Sequence, residues 1–255
     1  MKRSHRNEKF QKKSSPDGAF FISGLNGVLE CLRSPHVQVQ KLLFHKSLPD
    51  ILLPHLGRVE PESVADALTP LGSLVQNVAA LVRPPQWPDL DSLTDRLFQE
   101  GETPLFVFLD QVQDPQNLGQ IIRTAESAGA HAVVLTEHRS ASLTQTAAQV
   151  SQGAFAWLPV VSVVNLRQTM DRLKKDRFWV MGCEADPQSK PWFEADFRDP
   201  SVIVLGSEGF GLRDLVKRSC DVLIRLPQAG HITSLNVSAA AAAVLFEAAR
   251  QRSLK

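Results

Sequence analysis

The chain has 255 residues, 43% hydrophobic and 22% charged, with a formal net charge of +1. That length and composition suit a globular protein of one large domain or two smaller ones, with apolar material enough for a buried core. No apolar run approaches the ~20 residues of a membrane helix, and none follows the N-terminal charges as a secretory signal requires, so a membrane span and a leader are not expected.

Residues 1–16 are polar, and six Lys or Arg face Glu8 alone up to Lys13. Such an arm binds a phosphate backbone or is simply a solvated start. The three cysteines, Cys31, Cys183 and Cys220, are odd in number and lack CxxC spacing, so neither a disulfide framework nor a zinc site is expected. Buried thiols in a reducing cytosol are the simplest reading, and a cytoplasmic location follows from it.

Residues 17–83 alternate strand and helix signals. FFISGLNGVLECLRS reads as a strand, a Gly turn and a helix; VQKLLFHKS reads as a strand. DILLPHLG and PESVADALTPL carry helical apolar spacing, and LVQNVAALV is a strand by its β-branched content. A small α/β domain is expected here. Residues 84–103 hold Pro84, Pro85 and Pro88, and predict a linker containing one helical turn.

From residue 104 onward, short apolar runs predict strands at Leu105–Leu109, Ala132–Leu135, Phe178–Met181, Val202–Leu205 and Val222–Leu226, separated by helices. Near-continuous apolar strands between helices indicate a parallel sheet covered on both faces.

Three segments in this part carry candidate chemistry. In LDQVQDPQNLGQIIRTAESAG a strand ends at Asp110, and a helix follows whose apolar face is Leu118, Ile121, Ile122, Ala125 and Ala128, with Gly129 ending it. Arg123 lies off that stripe. Asp114, Pro115 and Asn117 either form a ligand loop at a strand's carboxyl end or only turn the chain and cap the helix. In VIVLGSEGFGLRDLV, Gly206, Gly209 and Gly211 follow a strand directly, and their spacing is not the dinucleotide pattern G-x-G-x-x-G. In VLIRLPQAGHITSLNVSAAAAAVLFEAARQR a strand ends at Leu226, and a helix rich in alanine begins near Ser234, with Thr233 or Ser234 as its cap. Each segment is strand, loop, helix. In a parallel sheet the three loops converge at one end, which favours a shared site.

The order DPQNLGQIIRTAESAG, VLGSEGFGL, LPQAGHITSLNVSAAAA resembles the three motifs of the SpoU (TrmH-like) branch of the SPOUT methyltransferases, over residues 104–255. Residues 17–83 resemble, more loosely, the ribosomal-protein-like RNA substrate-binding domain found in rRNA guanosine-2′-O-methyltransferases of that branch. The resemblance implies a C-terminal SPOUT domain with a trefoil knot, a homodimer, S-adenosylmethionine as cofactor and RNA as partner, with no metal. It implies methylation of a ribose 2′-hydroxyl in RNA, that of a guanosine of 23S (large-subunit) rRNA; a tRNA 2′-O-methyltransferase and a non-catalytic RNA-binding ribosome-assembly factor are the alternatives. By position, Gly206, Leu226 and Leu235 would contact the donor, with Leu205, Gly209 and Gln228 beside them. Arg123 matches the family's catalytic arginine, as a base or as a phosphate-orienting group. Asn117 and Glu208 match positions that hold the ribose or brace the loops, and Ser234 and Asn236 match polar residues near the reacting groups. Family members carry Met where Gln228 stands, His231 is unusual in its loop, and Val75-Gln76-Asn77 replaces His-Gln-Gly.

Overall fold

In the computed structural model, residues 18–65, 68–69, 72–137, 140–207, 209–231 and 234–253 are described. The basic N-terminal arm and Glu208 lie outside the described residues.

The first unit is a four-stranded sheet with one helix. Strands β1 (Phe20–Ser23) and β2 (Gln38–Phe44) both pair antiparallel with β6 (Val78–Arg83), and β3 (Pro61–Ser63) runs parallel to β2 at the edge. Helix α1 (Leu25–Arg33) follows Gly24, whose φ of 99° lets the chain turn sharply off β1. Gly24 has no side chain to cap the helix. The missing cap comes from across the sheet, where the Gln76 Oε1 accepts from Leu25 N–H at 2.8 Å. Gln76 and Asn77 are both left-handed, at φ 52° and 60°, and this reversal leads into β6.

Two expectations for this unit are corrected. The described residues of PESVADALTPL are not helical: Pro61–Ser63 is β3, and β4 (Leu68–Thr69) pairs with β5 (Gly72–Ser73). Val64 N–H donates to Phe44 O at 2.8 Å, so sheet-edge pairing overrides a weak helical spacing that Pro70 would in any case end. DILLPH forms only a 3₁₀ helix, Asp50–His55, with Pro54 inside it.

The second unit is a seven-stranded sheet, parallel throughout. Its strands are β7 (Leu105–Asp110), β8 (Ala132–Thr136), β9 (Val160–Val163), β10 (Trp179–Cys183), β11 (Lys190–Pro191), β12 (Ser201–Gly206) and β13 (Val222–Arg225), in the order β11-β13-β10-β12-β7-β8-β9. Alternate residues of β7 serve two cores. Leu105, Val107 and Leu109 face a layer built from α3 (Pro115–Ser127), α4 (Gln145–Val150) and α7 (Val237–Arg252). Phe106 and Phe108 face α2 (Leu90–Gln99), α5 (Leu166–Lys175) and α6 (Asp214–Lys217).

Helix α2 is a full ten-residue helix where one turn in a linker was expected. Asp89 caps it by accepting from Ser92 N–H at 2.9 Å, and Leu90, Leu93 and Leu97 are buried against the sheet. The prolines before it set its start and do not disrupt it.

The two units are joined by specific contacts. The Gln149 side chain accepts from Ser23 N–H at 2.8 Å and donates to Ser23 O at 2.7 Å. Trp157 Nε1–H donates to Glu30 Oε2 at 2.9 Å, and the rings of Phe20 and Phe155 lie 5.7 Å apart. Gly153, at φ 97°, packs against α1 so closely that a Cβ would stand 2.6 Å from that of Glu30. The first unit's Ile22, Val28 and Leu42 belong to the same apolar cluster as Leu105 and Leu118.

Candidate active site

Strand β12 ends at Gly206, and the chain folds straight back. Ser207 and Gly211 exchange two backbone hydrogen bonds, of 3.1 and 3.0 Å, closing a tight loop. Gly209 and Gly211 take φ of 83° and 66° there. A Cβ on Gly206 would come within 2.2 Å of the Gly211 backbone, so this position admits no side chain. The loop is braced from β10's end, where Glu184 Oε2 accepts from Leu212 N–H at 3.1 Å and Lys217 Nζ stands 3.7 Å from Oε1.

Beneath this loop lies a cavity of about 350 Å³. Leu205, Gly206, Gly209, Leu226, Gln228 and Leu235, the six positions expected to hold a donor, all line it, as does Ser234. Glu184 and Trp192 add a carboxylate and an indole, and Ala240 and Val244 of α7 form its floor. The Gln228 amide donates to Leu226 O at 3.1 Å, within its own loop. His231 is exposed.

The first motif approaches from β7. Asp114 caps α3 by accepting from Gln116 N–H at 2.9 Å, and Pro115 opens the helix. Asn117 is buried, and its Oδ1 accepts from Asn236 Nδ2–H at 2.9 Å. Asn236, not Ser234, is the cap of α7: its Oδ1 accepts from Ser238 N–H at 2.9 Å. Ser238 in turn donates to Gln120 Oε1. The first and third motifs are therefore joined by side chains. The alanines permit this approach, with Ala241 and Ala248 fully buried between α7 and its neighbours.

Arg123 lies elsewhere. It is exposed on α3, six residues beyond Asn117, or about 9 Å at the helical rise. It makes no hydrogen bond or ion pair among the described residues, and it lines a second cleft, of about 470 Å³, with Asn26, Glu30, Glu126, Gln152 and Trp157. The chain does not bring Arg123 to its own cavity.

The sequence reading missed Asp110 as a positioning residue. Fully buried at the end of β7, it accepts from Arg213 N–H at 2.9 Å and from Arg213 Nε–H at 2.7 Å, tying the first motif's strand to the exit of the glycine loop. The signal was an acid closing an otherwise apolar strand.

The cysteines are free thiols. Burial pushes each of them up to about 12, which leaves them protonated and unreactive at neutral pH. Among the described residues, no group of three or more His, Cys, Asp or Glu is placed to hold a metal ion, and no helix is long and apolar enough to cross a membrane.

The sequence profile of the SpoU rRNA Methylase family matches residues 104–246, which span all three loops and the cavity. The chain belongs to this family. Among its SpoU-family relatives, the 23S rRNA (guanosine-2′-O-)-methyltransferase RlmB of Pseudomonas syringae pv. tomato is 44% identical over 183 residues, 71% of this chain and 72% of that protein. A TrmH-family tRNA/rRNA methyltransferase of Staphylococcus epidermidis is 40% identical over 245 residues, 91% of this chain and 95% of that one. The crystal structure of the SpoU methyltransferase AviRb from Streptomyces viridochromogenes, in complex with the cofactor AdoMet, superposes with a TM-score of 0.76 at 28% identity, covering 93% and 92% of the two chains. This SpoU-family chain is an RNA methyltransferase, and its methyl donor is S-adenosylmethionine.

The cavity fits that donor. Its volume is in the range of small-molecule sites, and its walls are apolar or backbone, with a few polar groups convergent on them. Gly206, Gly209 and Gly211 line it with no side chain of their own, which suits close approach of main chain to a nucleoside.

Proposed function

We propose that this protein methylates a ribose 2′-hydroxyl of RNA, with a guanosine of large-subunit rRNA as the target, in the cytoplasm. The observation that carries the reading is that the second and third motif loops line one cavity, with the first motif joined to the third through Asn117 and Asn236. The 44% identity to a 23S rRNA (guanosine-2′-O-)-methyltransferase supports rRNA, and the four-stranded unit is the proposed RNA-recognition domain.

When bound, S-adenosylmethionine supplies an electrophilic methyl group. The protein's part is to hold the acceptor hydroxyl in line and relieve it of its proton. Leu205, Gly206, Gly209, Leu226, Gln228 and Leu235 hold the donor. Ser234, on the cavity wall, and the Asn117–Asn236 pair position the ribose, together with Glu208. Arg123, which makes no hydrogen bond or ion pair among the described residues, grips the adjoining phosphate and orients the hydroxyl; a guanidinium is normally protonated, which disfavours a base role.

Because Arg123 does not line its own chain's cavity, we propose a homodimer in which each chain's Arg123 serves the other's donor. The trefoil knot implied by the motifs would involve the segments from β12 to α7, where β13 enters outside β10 and α7 returns beneath the cavity.

The test is to map ribose methylation in rRNA and tRNA from cells with and without the gene. Loss of one large-subunit rRNA site supports the proposal. Loss of a tRNA site instead transfers the activity to tRNA, and no loss in either RNA overturns it.

A further inference from the structure

Phe210 stands at the tip of the glycine loop and is 92% exposed, although it lines the mouth of the donor cavity. A phenyl ring so far into water is unusual for a loop held this firmly. The loop is closed by the Ser207–Gly211 hydrogen-bond pair, Gly206 packs directly on Gly211, and Leu212 is tied to Glu184. The ring is therefore presented, with a glycine on either side and open space where a Gly209 side chain would be. Leu235, 47% exposed on the same cavity, continues the apolar rim.

We propose that Phe210 is a stacking platform for a nucleobase of the RNA substrate, at or next to the nucleotide being methylated. This rests on the RNA-methylation reading. The acceptor strand has to reach the rim of this cavity, because that is where the methyl is delivered. Every base offers a flat face to an aromatic ring, so the contact aligns the strand without reading its sequence. Both chain neighbours of Phe210 are glycine, so neither has a side chain to compete for the ring.

The test compares wild type with Phe210→Ala, Phe210→Leu and Phe210→Trp. Binding of a fluorescein-labelled large-subunit rRNA transcript is followed by anisotropy, S-adenosylmethionine binding by calorimetry, and particle mass by sedimentation. Phe210→Ala and Phe210→Leu are expected to weaken RNA binding about tenfold, the loss of one stacked base, with donor affinity and mass unchanged. Phe210→Trp is expected to retain RNA affinity. Unchanged RNA binding in both Ala and Leu variants overturns the proposal. A loss of donor affinity alone would make Phe210 a cover on the donor, and a change of mass would make it a contact between copies; either result also overturns it. If wild type methylates no RNA, the underlying reading fails; if wild type methylates and Phe210→Ala matches it in RNA binding, only the platform fails.

Discussion

The Asn236 Nδ2–H donates to Asn117 Oδ1 at 2.9 Å, linking two amides 119 positions apart in the chain. The same Asn236 side chain uses its oxygen to cap α7. One amide thus fixes the start of α7 and its distance from α3.

A double-mutant cycle tests this link. Asn117→Ala and Asn236→Ala should each cost about 1–2 kcal/mol in urea unfolding. Together they should cost less than the sum, by about 0.5 kcal/mol or more, because the two side chains share one bond. Asn236→Asp keeps the capping oxygen and turns an acceptor toward Asn117, so it should lose the link while retaining the cap.

Arg123 gives the opposite pattern. It is exposed and unpaired among the described residues, so Arg123→Ala should change stability by no more than about 0.5 kcal/mol. Methyl transfer should fall by orders of magnitude, with donor affinity by calorimetry near wild type. Near-normal turnover would remove Arg123 from the reaction.

Gly206→Ala should damage both fold and donor binding. The added Cβ meets Gly211 backbone at 2.2 Å, so the loop must lift from the strand. Donor affinity is expected to drop at least tenfold, and the unfolding midpoint should fall with it. A variant that melts and binds like wild type would show that the loop is free to move.

His131 sets a pH response. Burial, followed by the nearby Arg252 charge, holds its ring below the ordinary value of 6.5. Leu105 N–H donates to its Nδ1 at 3.1 Å, a bond that requires that nitrogen unprotonated. Below about pH 6.5 the unfolded chain binds the proton more readily than the folded one, so stability should be lost as pH falls through that value toward the folded one. The melting temperature should decline between pH 7 and 5, and His131→Asn should flatten that decline.

Much of the second unit is legible in sequence because strands buried on both faces read as continuous apolar runs; β7, β8 and β12 stand within a residue of where LFVFL, AVVL and VIVL place them. The glycine loop was legible because close backbone contact leaves only glycine possible. Helix α2 was hidden by its prolines, although Asp89 and the Leu90, Leu93, Leu97 spacing signalled it. PESVADALTPL misled because an edge strand is decided by its partner, here β2. The acid at the end of an apolar strand marked Asp110, but its partner Arg213 stands 103 positions away, and no local pattern names it. The separation of Arg123 from the cavity was equally unreadable, because spacing on one helix does not say which cleft a residue borders.

The Gln149 side chain holds Ser23 by both its backbone groups, and an apolar cluster runs unbroken behind that contact. The two sheets consequently behave as a fixed caliper rather than as jaws on a hinge. Under the proposed reading, an RNA that touched both would be gauged by the span between its recognised feature and the ribose offered to the donor. Target choice would then depend on the folded dimensions of the RNA, and a nucleotide of the right identity at the wrong distance would go unmethylated.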